Sequence, residues 1–216
     1  MRLWIPFLLL VTAVSAQEPS AAAEDRELSN ALAEAGTSQI DFVRALENHL
    51  AKYPKSLKKP EIERALTKAA IEMKDDQRII LYGERVLDRE AGDPQMLEKV
   101  ARALLSSDAR DTSERALRYA KRYEEQVEGL RQATLTGRAA KAEWMTEVDR
   151  GVARALVLEA RATGNLGKSE EALVLARKSY DRYPTAEGAR EIAKLLTRLG
   201  REPEAIAHLA DAFTIV

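Results

Sequence analysis

The chain has 216 residues, with 34 Lys+Arg against 35 Asp+Glu, 45% apolar side chains and no cysteine. That length suits one ordinary domain or a short repeat array with ample core, and the near-zero net charge removes the electrostatic basis for nucleic-acid binding. The missing cysteine excludes disulfides, a thiol nucleophile and a CxxC redox pair.

Residues 1–16 read MRLWIPFLLLVTAVSA. One cation, Arg2, precedes an apolar run from Leu3 to Val14, and small residues close the segment at Ser15-Ala16. Charged, apolar and small residues in that order are those of an export signal, with cleavage expected before Gln17. A bilayer span needs about 20 apolar residues, more than this run supplies. Residues 17–24 (QEPSAAAE) read as a flexible leader. The expected location is therefore periplasmic or secreted, without stable membrane insertion after cleavage.

Thirty-six alanines and few β-branched runs favour helix in the remainder. From Asp25 onward apolar residues recur with a period near 3.6, and no short window alternates as a strand would. The pattern predicts helices near 25–35, 39–52, 60–74, 77–90, 94–106, 112–128, 138–164, 169–182, 187–199 and 203–214. Short breakers separate them, including Gly36-Thr37, Asp75-Asp76, Gly92-Asp93-Pro94, Gly164–Gly167 and Gly200. Connections that short fold successive helices antiparallel.

An internal repeat sets the expected architecture. Gly167-Lys-Ser-Glu-Glu171-Ala172 aligns with Gly200-Arg-Glu-Pro-Glu204-Ala205 at a spacing of 33 residues, and Ala160 then meets Ala193. Phe42-Val43, Leu46 and Tyr53-Pro54 superpose on Ala172-Leu173, Ala176 and Tyr183-Pro184. Each hairpin leaves an apolar side that only a neighbouring hairpin can cover, so the hairpins should stack.

This pattern resembles the tetratricopeptide repeat, most clearly in residues 151–184 (Ala160, Gly167, Ala172, Ser179, Pro184) and 186–214 (Ala193, Gly200, Ala205, Ala212). Segments 60–93 and 94–128 match weakly, and Thr163 and Leu196 stand where the family usually has Tyr. The resemblance implies an all-α fold, a right-handed α-solenoid of about four to five antiparallel hairpins over residues 25–216. It also implies a concave surface lined by the first helix of each hairpin. Its inward positions fall on Arg64, Lys68, Arg102, Arg154, Arg161, Arg190, Lys194 and Arg198. Guanidinium and ammonium groups there would suit acidic groups of a protein or peptide partner.

Rival chemistry is weak. Ala162–Ser169 (ATGNLGKS) formally fits a relaxed phosphate loop, but a charged, helix-periodic segment precedes it where a buried strand would be required. His49 and His208 sit in no metal-ligand spacing, and no grouping offers a nucleophile with its base. The sequence presents no active site and implies no cofactor. Trp144 reads as core filler on an unusually long helix. The function expected is a non-catalytic protein-binding scaffold in the cell envelope. The alternative rests on a looser resemblance to the helical N-terminal regions of exported thioredoxin-like proteins. In that reading the chain is an accessory region, with the chemistry beyond Val216. A third reading is end-to-end self-association through Phe213–Val216.

Overall fold

The computed structural model describes residues 21–133 and 138–215. The expected signal at residues 1–16, the leader residues 17–20 and Val216 lie outside the described residues. The chain divides into two compact units, residues 1–54 and 55–216.

The first unit is a single hairpin of α1 (Ala21–Ala35) and α2 (Gln39–Lys52). Helix α1 begins four residues before its expected start, because Ala21-Ala22-Ala23 are the strongest helix formers and nothing interrupts them. Ala21–Glu24 therefore belong to the helix and not to the leader. Ser38 caps α2 by accepting a hydrogen bond from the Asp41 amide at 3.3 Å. Leu28 of α1 and Val43, Leu46 and His49 of α2 are buried. His49 lies 3.0 Å from Glu24 and packs on the Tyr53 ring, so its role is packing.

The second unit contains α3 (Lys59–Met73), α4 (Asp76–Arg89), α5 (Pro94–Leu104) and α6 (Arg110–Gly129), then a 3-10 turn, Leu130–Gln132. It continues with α7 (Arg138–Asn165), α8 (Ser169–Arg182), α9 (Ala186–Arg198) and α10 (Glu202–Thr214). Side chains at three helix starts accept backbone amides: Asp75 from Arg78, Asp93 from Met96 and Thr185 from Gly188. Gly167 and Gly200, the paired residues of the repeat, end α7 and α9 at φ +85° and +71°. Side chains rarely adopt that left-handed backbone, which is why glycine recurs there. The would-be phosphate loop is thus a helix-to-helix turn, and Lys168 pairs with Glu171. Helix α5 stops two residues short of its expected end, where the Ser106 hydroxyl donates to the Ala103 carbonyl and competes with the helix ladder.

Each helix packs on its sequence neighbour, α3 on α4 through α9 on α10, and first helices also meet, α5 with α7 and α7 with α9. This is the all-α, tetratricopeptide-like stack of antiparallel hairpins expected from the 33-residue register. Two apolar clusters run through the unit. One joins α3 to α7 around Leu97, Leu104, Leu156 and Leu158. The other joins α7 to α10 around Ala160, Ala172, Ile192, Ala193 and Ala205. Each fully buried Leu contributes roughly 1.5–3 kcal/mol. Trp144 is half-buried against the first cluster and donates its indole N–H to the Leu130 carbonyl at 2.9 Å. Its role as filler holds, with one edge left in a cleft.

Close helix approach is demanding at Gly83 of α4. A Cβ there would lie 2.5 Å from Val100 Cγ2 and 3.5 Å from Thr67 Cγ2. The β-branched Val cannot swing away cheaply. Gly83→Ala gains about 1 kcal/mol of helix propensity but costs about 1–3 kcal/mol in overpacking. A lowered urea midpoint is therefore expected, and an unchanged or raised midpoint would contradict the close α4–α5 approach.

Candidate partner-binding face

The eight predicted cations separate into two groups. The first is neutralised within the fold. Arg64 makes a double contact with Glu90 at 2.7 and 2.9 Å, both side chains being well exposed. Arg102 of α5 reaches Glu98 one turn back and Glu187 of α9, 85 residues away. Arg161 of α7 meets Glu187 and Glu191 of α9, each at 3.2 Å. Glu187 thus binds two guanidinium groups from two preceding first helices. Burial acts to raise its carboxyl pKa, but the hydrogen bond and charge of Arg102, with Arg161, outweigh burial and hold it below the usual range.

The second group stays available. Lys68 is exposed beside Glu72 and Asp93 in a small cleft of about 200 Å³ between α3 and α5. Arg154 is exposed and hydrogen-bonded to Tyr123, at the rim of a cleft of about 390 Å³ between α5, α6 and the first half of α7. Arg190, Lys194 and Arg198 are exposed along one side of α9. Among the described residues, none of Lys68, Arg190, Lys194 and Arg198 forms an ion pair.

Acids carry as much of this arrangement as the predicted bases. Glu63, fully buried on α3, is ion-paired with Arg85 and Arg89 of α4. Glu187 was detectable in the repeat register, because Arg154 advanced by 33 residues lands on it. The register therefore shows an acid where the preceding hairpin has a cation, although the guanidinium groups that Glu187 binds are those of Arg102 and Arg161 and not that of Arg154. On the opposite side, α6 and α8 flank a groove of about 820 Å³ whose floor includes Val152 and Leu156 of α7. Ion pairs Lys178–Glu124 at 3.3 Å and Arg182–Glu128 at 3.2 Å span it.

Beside that groove Glu159 is 4% exposed, and one carboxyl oxygen has no partner. Burial, reinforced by a hydrogen bond to Glu124 and by that residue's charge, pushes its pKa up to about 8. The folded state therefore holds a proton that the unfolded chain releases near its ordinary 4.5, and stability falls as pH rises between those two values. Glu159→Gln should melt higher than the parent, by a margin that widens between pH 5 and 8 and then levels. A widening of at least about 3 °C is expected, and a margin independent of pH would refute the buried proton.

No protein-family model matches the chain, and no characterised protein matches it by sequence. Solved structures do. The MamA RS-1 ArsTM double mutant superposes with a TM-score of 0.55 at 16% identity, over 90% of this chain and 93% of its own. MamA 41-end from Desulfovibrio magneticus RS-1 gives 0.55 at 17% identity, over 90% and 94%. A further MamA crystal structure gives 0.53 at 13%, over 88% and 92%. At these identities the likeness shows a shared fold, the stacked helical hairpins described above.

Proposed function

We propose that the protein is an exported, non-catalytic scaffold that holds an acidic segment of a partner protein along the first helices of residues 55–216. The observation that carries this reading is the separation of the cations into two groups. Arg102 and Arg161 are committed to Glu187 and Glu191, whereas Lys68 and Arg154 stand exposed at the clefts flanking α5. A cation tied to a buried acid builds the fold, and one left at a cleft rim can serve a ligand. Apolar walls from Met96, Val127, Leu130 and Trp144 line the same two clefts. Cleft and charge together favour an extended segment that seats apolar side chains and presents carboxylates. Export is supported by the order of charged, apolar and small residues in 1–16. Among the described residues, no helix is long and apolar enough to cross a membrane.

The test is affinity capture of the tagged chain from the extracytoplasmic fraction of its source cell. The parent should recover a partner there, and Lys68→Glu with Arg154→Glu should recover about five-fold less, with an unchanged thermal midpoint. Absence of the chain from that fraction overturns export, and equal recovery by the variant overturns the face.

A further inference from the structure

The same repeat position is covered once in this chain and open once. Advanced by 33 residues, Leu173, Ala176 and Tyr180 of α8 become Ile206, Leu209 and Phe213 of α10. Leu173 and Ala176 are sealed by the following hairpin, sharing a cluster with Ile192, Leu196 and Ala205, and Tyr180 is packed against it. Their counterparts on α10 are 66%, 42% and 89% exposed. They lie at i, i+3 and i+7, one stripe of the helix. The first helices show the same contrast: Val157 of α7 is 2% exposed, while its counterpart Arg190 of α9 is exposed.

Charge indicates what would cover the open face. Arg161 on the covered hairpin is met by two acids one turn apart, Glu187 and Glu191, from the next first helix. Its counterpart, Lys194, forms no ion pair among the described residues. Neither do Arg190 and Arg198, four residues to either side. We infer that the open face of the α9–α10 hairpin receives an amphipathic helix of a partner protein. Its apolar stripe packs on Ile206, Leu209 and Phe213, and a pair of acids one turn apart meets the Arg190, Lys194 and Arg198 row. The chain's own α7–α9 interface supplies the template. A second copy docked symmetrically would set one cationic row against the other. An anionic lipid surface would press Glu202, one turn before Ile206 on an α10 that has no Lys or Arg, against like charge.

This inference stands on the α9–α10 hairpin and is independent of the clefts beside α5. Two fluorescent synthetic helices test it by anisotropy with the purified protein. Both carry the same Leu stripe; one has Glu at i and i+4 and the other has Lys. The Glu helix should bind at least about ten-fold more tightly, and Arg190→Glu with Lys194→Glu should invert that preference. Phe213→Ser, a change at a largely exposed site, should weaken both helices while leaving the melting midpoint in place. Equal binding of the two helices overturns the proposal, as does no binding of the Glu helix at about 100 μM. Tighter association with phosphatidylserine vesicles also overturns it, as does a dimer dissociated by Phe213→Asp, which would assign the face to a second copy. Helix binding that survives Lys68→Glu with Arg154→Glu separates this site from the one proposed above.

Discussion

The stack in residues 55–216 depends on how closely neighbouring helices can approach. Where α7, α8, α9 and α10 pack in turn, Ala160, Ala172, Ala176, Ala193 and Ala205 are all within 3% of complete burial. A methyl group is the largest side chain that lets the axes come so near, and the larger Leu173, Ile192 and Leu196 fill the spaces alongside. Gly164 is tighter still, since a Cβ there would stand 3.0 Å from Leu195 Cδ2. At these positions alanine is therefore a packing requirement as well as a helix former.

Close approach of backbones brings long polar side chains within reach across the crossings, and the fold uses them. Successive second helices are linked by Arg115–Glu84, by Lys178–Glu124 and by Arg177–Glu204. Arg122 goes further, donating to the carbonyls of Leu87, Glu90 and Ala91 at the end of α4. Gln126 of the same helix also donates to the Ala91 carbonyl, so side chains of α6 act together as a C-cap supplied by the next hairpin. Exposed pairs of this kind contribute little singly. The first helices follow the same rule with buried acids, where the energetic stakes are higher.

Much of this was legible in the residues. Gly167 and Gly200 announced the turns, the 33-residue spacing announced the stack, and most helix ends fell within two residues of their expected places. What escaped was long-range pairing. Arg102 looked like a free inward cation because periodicity reports only which face a residue occupies. Whether Glu187, 85 residues on, comes within 2.8 Å depends on how α5, α7 and α9 sit together. Glu159 escaped for another reason. Its counterpart 33 residues on is Ile192, so it occupies a core position, and only the three-dimensional surroundings reveal a carboxyl kept protonated there.

The central claim is that Glu187 and Glu191 of α9 neutralise Arg102 and Arg161 of the first helices before it, leaving the cationic row of α9 itself open. A double-mutant cycle on Arg161 and Glu191 tests it most directly, read by urea denaturation. Arg161→Ala leaves Glu191 buried without its guanidinium and should cost about 3 kcal/mol. Adding Glu191→Gln should recover most of that loss, because the uncompensated charge is then gone. Additive losses, or no loss from Arg161→Ala alone, would contradict the account.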